Sequence, residues 1–237
     1  NGTGGSTGKP VQVVQDKYYQ DNNLANFMLA KKLKNIGIYD SVAMLWGAEQ
    51  DTYVGKKTIK TYLIEFLQNV KIFNSFSLKE NTIKKFLKYI NQKKPKVIQA
   101  YVSSVYEVAL YAKKNDIKID FPNKIHASAG TLYPYMKNEI ENVFGCPVYN
   151  HYGSRDAGTL ASECIDQSGL HEMGHNVILE IVDKNNKPCK DGEVGHILVT
   201  LLHNYSMPLI RYRIGDMASF KKQDNCKCGF NYREWLG

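Results

Sequence analysis

Segments with helical spacing alternate with extended segments along the first 150 residues of the chain. Apolar side chains recur at helical intervals at Leu24, Phe27 and Leu33, whereas residues 96–101 form a short apolar run typical of a buried strand. Parallel strands need crossover connections, and helices usually supply them. The alternation therefore predicts an α/β fold whose mainly parallel sheet is flanked by helices.

Apolar periodicity and helix-breaking residues predict the individual elements. Asp16 or Asp21 is a suitable N-cap for the first helix, and Pro95 is expected to end the third. The remaining helices are expected at residues 58–69, 78–91, 104–114 and 135–144, and the strands at residues 41–46, 96–101, 124–129 and 147–150.

The pattern changes beyond residue 150. Residues 176–182 and 193–202 alternate in the manner of strands around a polar turn at residues 184–192. Residues 211–220 add one or two more extended segments. A β-rich part is therefore expected to follow the α/β part.

This change divides the chain into two expected domains. We predict an α/β subdomain over residues 1–150 and a β-rich subdomain over residues 151–237. The residues at both ends of the sequence suggest a fragment of a longer chain. Residues 1–10 form a loop with no strand before it, and residues 233–237 are expected to stop without a closing element.

Composition narrows the class of protein. The hydrophobic fraction of 43% and the aromatic fraction of 11% are those of a folded globular protein. No apolar run reaches the roughly 18 residues of a membrane helix, and the first residues have no apolar stretch like that of a signal peptide. The sequence therefore predicts a cytoplasmic protein without membrane insertion.

The charge balance permits a nucleic-acid partner without favouring one. Lysine and arginine exceed aspartate and glutamate by 31 to 23, which gives a net charge of +8. The lysines are spread over helical stretches such as residues 82–94, as on solvated helix faces, and no aromatic–basic interleaving accompanies them. We expect no nucleic-acid partner, and a polyanionic small substrate fits the charge equally well.

Residues 3–10, Thr-Gly-Gly-Ser-Thr-Gly-Lys-Pro, have the composition of a phosphate-binding loop. Glycines let backbone N–H groups turn towards a phosphate, hydroxyls add donors, and lysine adds charge. The segment is not a Walker A loop, because Thr3 stands where that motif needs glycine and Pro10 where it needs a hydroxyl residue. A flexible linker is the alternative interpretation.

Two later motifs combine aromatic, glycine and carboxylate groups. Residues 151–158, His-Tyr-Gly-Ser-Arg-Asp-Ala-Gly, offer a ring that can stack and a carboxylate that can reach a hydrated Mg²⁺. Residues 208–216 end in Arg-Ile-Gly-Asp, where a carboxylate at a strand end can accept both hydroxyls of a ribose. Taken singly, each motif can equally be an ordinary turn.

The order of the three motifs resembles the adenylate-forming superfamily of acyl-CoA synthetases, luciferases and nonribosomal peptide adenylation domains. Within it, the chain is most similar to the phenylacetate–CoA ligase and capsular-polysaccharide-biosynthesis (CapK-like) branch. Further supporting stretches lie at residues 96–103, 128–132, 163–171 and 191–200. The resemblance covers essentially the whole chain, and three ordered motifs are more specific than any single one.

The resemblance implies roles for residues that bind the nucleotide and its metal. The residues that match the loop around the β- and γ-phosphates are Thr3, Ser6, Thr7, Gly8 and Lys9, and those that match the adenine-binding segments are Ser128, Ala129, Gly130, Tyr152 and Gly153. Asp216 matches the ribose-binding aspartate. Lys9 and Asp156 are the expected catalytic residues, although Asp156 stands where the family usually has a longer glutamate near Mg²⁺.

The implied activity is ATP-dependent activation of a small carboxylic acid, followed by acyl transfer to CoA or to a carrier-protein thiol. The acyl pocket is expected near Trp46, Tyr101, Ser103 and His151. In the family, a lysine from a small C-terminal domain completes adenylation. We expect that domain to be absent from this chain, and the isolated fragment to be inactive.

Cysteines suggest a separate metal centre. The chain has five cysteines, an odd count that argues against a disulfide framework in the cytosol. Cys164, His171, Cys226 and Cys228 would suit a tetrahedral structural Zn²⁺. The resemblance to this branch implies the same, because its members carry similar cysteines. The alternative is a set of reduced thiols at a packed β-edge.

Two further hypotheses stand beside the ligase. A nucleotide-binding module that needs missing domains for activity is the second, and a nucleic-acid-binding protein is the third. Binding of an acyl adenylate separates the first two from the third, and turnover separates the first from the second. The carboxylic acid and the oligomeric state stay open, a homodimer being one arrangement that the sequence allows.

Overall fold

The computed structural model describes residues 12–47, 59–76, 78–120, 123–221, 226–230 and 232–236. Two compact units divide the chain: residues 36–150 form the parallel unit, and the residues up to 35 combine with those from 151 onwards as the antiparallel unit. The first predicted helix thus groups with the later part of the chain. The domain division predicted at residue 150 stays a prediction.

Helices and strands alternate through the parallel unit, and strands dominate the antiparallel unit. The helices are α1 (Lys17–Lys32), α2 (Ile59–Leu67), α3 (Glu80–Lys93), α4 (Val102–Lys114) and α5 (Pro134–Phe144). The strands are β1 (Val42–Trp46), β2 (Val70–Asn74), β3 (Val97–Tyr101), β4 (Lys124–Ser128), β5 (Val148–Ser154), β6 (Gly158–Glu163), β7 (Leu170–Glu172), β8 (Val177–Val182), β9 (Gly195–Leu201), β10 (Tyr212–Phe220) and β11 (Glu234–Leu236).

The parallel unit is built on four parallel strands in the order β2-β1-β3-β4. In both β1 and β3 the first two residues and the fourth are buried. Burial of consecutive residues, which point to opposite faces, is expected of strands covered on both faces. Helix α3 shows the sequence logic: Ile83, Phe86 and Ile90 recur on one face and all three are buried in the core. Lys94 ends the helix in the left-handed conformation, and Pro95 follows it.

The antiparallel unit contains the strand order β6-β7-β11-β10-β9-β8, and the later residues of β5 pair with β6. Its core joins residues from α1, such as Tyr19 and Ala30, to apolar side chains of these strands. Asp16 caps α1, because its Oδ1 accepts a hydrogen bond from the Tyr19 N–H at 2.7 Å. The expected N-cap at Asp16, rather than Asp21, is therefore the correct one.

The predicted fold class is confirmed: a mainly parallel sheet flanked by helices is combined with a β-rich part. Several elements were predicted wrongly. Strands β2, β6 and β7 were not expected, and β5 continues to Ser154 through residues that read as a turn. Strand β6, Gly-Thr-Leu-Ala-Ser-Glu, is buried along almost its whole length, so it lacks the alternation that reveals a half-buried strand.

The prediction for the last residues is also wrong. Residues 233–237 were expected to lack a closing element, yet Glu234–Leu236 form β11 between β7 and β10. A three-residue strand in this position has no local sequence signal, because its stability comes from two distant partners. Among the described residues, no helix is both long enough and apolar enough to cross a membrane.

Phe86 is expected to carry a large share of the parallel unit's core stability. Its side chain is fully buried and its ring lies 5.2 Å from the Phe73 ring, edge to face. The Phe86→Ala variant should lose about 3–5 kcal/mol of unfolding free energy in urea denaturation, because a cavity replaces the ring. The matched control is Phe66→Ala, which removes an 80% exposed ring and should change stability by less than about 0.5 kcal/mol. Equal losses in the two variants would contradict this placement of the core.

Candidate functional site

Three predicted site residues end neighbouring parallel strands. Trp46 ends β1, Tyr101 ends β3 and Ser128 ends β4. The rings of Trp46 and Tyr101 lie 4.3 Å apart between centroids at an interplanar angle of 42°, and Tyr101 stands opposite Ser128 in the sheet register. Ligands of open α/β sheets bind beyond the carboxyl ends of the strands. The parallel unit therefore presents an aromatic pair at the edge where this fold class binds ligands.

The backbone turns sharply after β4. Ala129 has a positive φ of 56°, which only a few per cent of non-glycine residues adopt. Gly130 follows, and a Cβ there would lie 3.5 Å from the Cβ of Val102 at the start of α4. Ser103 is exposed on the first turn of the same helix. Ala129 and Gly130 are exposed too, so this segment offers backbone groups to a ligand.

In the antiparallel unit, the predicted stacking tyrosine and the predicted ribose aspartate are in direct contact. The Tyr152 hydroxyl donates a hydrogen bond of 2.7 Å to Oδ2 of Asp216, which is 64 residues away in sequence. Burial and the Asp216 carboxylate raise the pKa of Tyr152, so the hydroxyl stays protonated and acts as a donor. The carboxylate of Asp216 is exposed and held from one side by this bond.

A β-bulge directs Asp216 away from the regular ladder. The pairing of β9 with β10 shifts in register between Arg213 and Met217. Gly215 lies inside the shift with φ +102°, a conformation that disfavours every residue with a Cβ. The Ile-Gly-Asp part of the motif thus builds the irregular backbone that presents the carboxylate.

Asp156 is buried and hydrogen-bonded, although its motif alone can be read as an ordinary turn. Its side chain is buried, and its Oδ2 accepts a hydrogen bond of 3.0 Å from the Tyr212 hydroxyl. The Gln15 side chain also donates to the backbone oxygens of Arg155 and Asp156, at 2.8 and 3.1 Å. The loop that follows Tyr152 is therefore fixed by residues from both ends of the antiparallel unit.

His151, the fourth residue of the expected acyl pocket, lies in a buried polar cluster of the antiparallel unit. Its ring is 5.9 Å from the Phe27 ring, edge to face. Burial, reinforced by the nearby Lys34 charge, lowers the pKa of His151 to about 3, so the imidazole is neutral at physiological pH. Lys34 is itself fully buried, donates a hydrogen bond to the Ser162 hydroxyl, and has its pKa lowered by burial to about 7.

The four predicted metal ligands come together. Side-chain ligand atoms of Cys164, His171, Cys226 and Cys228 all lie within 4.8 Å of one another. Cys164 and His171 are buried, and the other two are half-buried. Burial raises the pKa of Cys164 to about 12 and lowers the pKa of His171, so burial favours the neutral form of each group. A bound dication would reverse this preference for the thiols.

The structure thus sorts the predicted residues into groups. It brings Tyr152 to Asp216, Trp46 to Tyr101, and the four metal ligands to one another. The predicted phosphate loop, with Thr3, Ser6, Thr7, Gly8 and Lys9, lies outside the described residues. The assignments of function to all of these residues stay predictions.

Sequence reasoning missed several residues that support the site. Tyr212 was read only as part of a motif, and neither Gln15 nor Lys34 was singled out. Trp235 packs its ring 5.4 Å from the Tyr152 ring, edge to face. A tryptophan near a chain end carries no signal of this contact. Only Tyr212, as the tyrosine of Tyr-Arg-Ile-Gly-Asp, stood within a recognisable pattern.

The fold places the chain in a recognisable class. No family model matches the chain. The structure is similar to 2-hydroxyisobutyryl-CoA ligase in complex with 2-HIB-AMP and CoA, with a TM-score of 0.75 at 18% identity over 99% of this chain and 51% of that chain. The fold is therefore that of the adenylate-forming enzymes.

Sequence relatives specify the branch. The chain is 26% identical over 226 residues to Protein CapK of Staphylococcus aureus, covering 94% of this chain and 48% of CapK. It is 29% identical over 98 residues to phenylacetate-coenzyme A ligase of Thermus thermophilus, covering 40% of this chain and 22% of the ligase. These similarities confirm the predicted resemblance to the phenylacetate–CoA ligase and CapK-like branch. The chain spans about half the length of CapK, and the aligned region covers a smaller share of the ligase.

The buried Lys34 predicts an unusual pH dependence of stability. Its pKa is about 7 in the folded chain against 10.5 ordinarily, so between these values the unfolded chain binds the extra proton. Stability contributed at this site therefore rises with pH above about 7. The unfolding free energy of wild type minus that of Lys34→Met should increase by about 2 kcal/mol in total between pH 7 and 9, measured in urea, and its slope should approach about 1.4 kcal/mol per pH unit above pH 8.

The exposed Lys17 at the start of α1 supplies the control. The difference in unfolding free energy between wild type and Lys17→Met should stay nearly constant over this pH range, because the Lys17 side chain is exposed to solvent. A pH-independent difference for Lys34→Met would show that the buried amine keeps its ordinary affinity for a proton.

Proposed function

We propose that the chain binds ATP and takes part in activating a small carboxylic acid as an acyl adenylate, for transfer to the thiol of CoA or of a carrier protein. The observation that carries this proposal is the 2.7 Å hydrogen bond that joins Tyr152 to Asp216. Two motifs assigned to one nucleoside from sequence order alone are in contact in the folded chain.

The Tyr152–Asp216 pair suits the sugar and base of ATP. A carboxylate accepts hydrogen bonds only, and the two hydroxyls of a ribose can both donate to it. The exposed Asp216 keeps room for this contact, while Tyr152 holds the carboxylate in place. The ring of Tyr152 is in turn packed against Trp235, which fixes the plane on which a base can stack.

The remaining nucleotide contacts are proposed from the matching positions. Ser128, Ala129 and Gly130 would line the adenine, and the positive φ of Ala129 turns the backbone after β4. Lys9 and its loop would hold the β- and γ-phosphates. Asp156 would act near Mg²⁺, whose oxygen preference a carboxylate satisfies. The Tyr212 hydroxyl would orient that carboxylate.

The acid would lie near the aromatic pair at the edge of the parallel strands. Trp46 and Tyr101 offer flat apolar faces, and Ser103 adds an exposed hydroxyl nearby in sequence. His151 stays a predicted acyl-pocket residue, and its imidazole is neutral because burial lowers its pKa to about 3. The flat faces of Trp46 and Tyr101 suit a carboxylic acid with a small or planar body.

The chemistry needs positioning and charge neutralisation rather than a side-chain nucleophile. A carboxylate oxygen of the acid attacks the α-phosphorus of ATP, and pyrophosphate leaves with the electron pair of the broken P–O bond. A thiolate then attacks the acyl carbonyl, and AMP leaves. Cations and N–H groups that stabilise the phosphate charge lower the barrier of the first step.

The relatives support this proposal. One is a phenylacetate-coenzyme A ligase, and a structural neighbour was solved with 2-HIB-AMP and CoA, an acyl adenylate and its acceptor. The alternative is nucleotide binding by this chain without turnover. Pyrophosphate release in the presence of a panel of acids separates binding from turnover.

Substitution of Asp216 tests the proposed nucleotide contact. Calorimetric titration with ATP–Mg²⁺ and with a non-hydrolysable acyl-adenylate mimic should show binding to the wild-type chain. Asp216→Ala should weaken both affinities at least tenfold, because hydrogen bonds to a charged group contribute about 1.5–3 kcal/mol each. Tyr152→Phe keeps the ring and should lose only about three- to tenfold, the contribution of one hydrogen bond.

The matched control is Asp120→Ala, which removes an exposed aspartate that pairs with Lys94 in the parallel unit. Its affinity for both ligands should equal that of wild type. A folded wild-type chain that binds neither ligand would contradict the proposal, and so would an Asp216→Ala variant that binds both normally.

A further inference from the structure

The cysteine–histidine cluster joins parts of the antiparallel unit that are far apart in sequence. Cys164 follows β6, His171 lies in β7, and Cys226 and Cys228 lie between β10 and β11. We propose that this cluster is a structural Zn²⁺ site, and that the bound ion fixes β11 and thereby the Trp235 ring that supports Tyr152. The metal would hold the framework of the proposed nucleotide site without taking part in its chemistry.

The separations of the ligand atoms fit a tetrahedral ion. Tetrahedral Zn²⁺ with Zn–S bonds of about 2.3 Å and Zn–N bonds of about 2.0 Å places its ligand atoms roughly 3.5–3.8 Å apart. The Sγ atoms of Cys164 and Cys226 are 3.4 Å apart, and Cys228 Sγ lies 3.4 Å from Nε2 of His171. Small outward movements would bring both pairs to the required separations. Three sulfurs and one imidazole are also a donor set that favours zinc.

Each cysteine sulfur accepts a hydrogen bond from the backbone two residues further on. The Asp166 N–H donates to Cys164 Sγ and the Phe230 N–H to Cys228 Sγ, both at 3.4 Å. The Cys228 N–H makes the corresponding contact with Cys226. Three N–H dipoles directed at three sulfurs stabilise negative charge, which thiolate ligands carry and neutral thiols do not. This repeated backbone arrangement is independent of the distances between the ligands.

Charged side chains lie beside the cluster. Glu234 Oε1 lies 3.3 Å from Nε2 of His171, the same nitrogen that faces Cys228 Sγ. The Glu234 carboxylate is held by the Ser168 hydroxyl at 2.8 Å and by Lys221 Nζ at 3.2 Å. Lys221 also places a positive charge beside a site whose three thiolates exceed the charge of a dication. In the zinc-bound chain Nε2 would bind the ion, and Glu234 would lie beside the four ligands, held by Ser168 and Lys221.

Strand β11 connects the metal cluster to Tyr152. Glu234 pairs with the ligand His171, and Trp235 pairs with Leu170 on one side and Phe220 on the other. Strand β11 has three residues, the lower end of the usual strand length, so its two ladders supply few hydrogen bonds. An ion that ties the preceding Cys226–Cys228 segment to β7 shortens the free chain leading into β11. Trp235 is then held in its buried position against Tyr152.

Metal content tests the site directly. The purified wild-type chain should contain about one zinc per chain by inductively coupled plasma mass spectrometry, and the Cys226→Ser/Cys228→Ser variant close to none. Cys189→Ser is the control, because Cys189 is the cysteine of the same unit outside the cluster and should leave the zinc content unchanged. Replacement of zinc by Co²⁺ should give thiolate-to-metal charge-transfer absorption and the intense visible bands of a tetrahedral site.

Two outcomes would overturn the site. One is a folded wild-type chain that contains no metal and takes up neither Zn²⁺ nor Co²⁺. The other is a disulfide among Cys164, Cys226 and Cys228, detected by mass spectrometry of the chain purified under reducing conditions. Because these measurements use the wild-type chain, they stand even where the double variant fails to fold.

Trp235 reports on the second part of the proposal. The chain has two tryptophans, so Trp46→Phe leaves Trp235 as the single fluorophore. Removing zinc with a chelator should shift its emission to longer wavelength and speed hydrogen exchange at residues 234–236, and added Zn²⁺ should reverse both changes. Unchanged emission and exchange after verified metal loss would show that the ion does not fix β11.

The consequence for ATP rests on the proposed function. Zinc removal should weaken binding of the acyl-adenylate mimic at least threefold, in parallel with the change in Trp235 emission. Failure of the mimic to bind the zinc-loaded wild-type chain would refute the proposed function and leave the metal site standing. Equal affinity of the zinc-loaded and zinc-free chains, with Trp235 displaced, would overturn the coupling alone.

Discussion

Two glycines, Gly153 in β5 and Gly158 in β6, allow a close approach of the backbone, and the geometry of the candidate site depends on it. A Cβ on Gly153 would lie 2.5 Å from the carbonyl oxygen of Gly158, and a Cβ on Gly158 would collide with the Asn23 amide. The same Asn23 accepts a hydrogen bond of 2.8 Å from the Thr159 N–H, which ties α1 to β6. Glycine is therefore required where the Tyr-Gly motif continues β5, and the register shift there determines where Tyr152 points.

Tyr152 makes two contacts of different kinds, one through its hydroxyl and one through its ring. Its hydroxyl holds the exposed carboxylate of Asp216, and its ring rests on Trp235. Trp235 belongs to β11, which pairs directly with the strand that carries His171. One aromatic pair thus stands between a carboxylate suited to a ribose and a sulfur-rich cluster suited to zinc. The proposed zinc site and the proposed nucleotide site can be separate, because an ion that rigidifies a framework need not take part in the phosphate chemistry.

Much of the parallel unit could be predicted from sequence, since its signals are local. Strand β3 was expected at residues 96–101 and occupies Val97–Tyr101, because an apolar run between Pro95 and a helical segment has few alternatives. Strand β11 was missed because both of its partners are distant in sequence. The resemblance assigned Tyr152 and Asp216 to one nucleotide, but it did not predict the hydrogen bond between them. The support of Asp156 by Tyr212 and Gln15 was not predicted either, since side-chain contacts between loops leave no periodic pattern.

In the proposed complex, Tyr152 lies against the base of a bound adenine nucleotide. Photolabelling with 8-azido-ATP and Mg²⁺, followed by peptide mapping by mass spectrometry, tests this placement. We expect an adduct in a peptide that contains Tyr152, suppressed by excess ATP or by the acyl-adenylate mimic and reduced in Asp216→Ala. Labelling that excess ATP does not suppress, or that maps to neither the Tyr152 peptide nor the peptide with Ser128–Gly130, would contradict this placement.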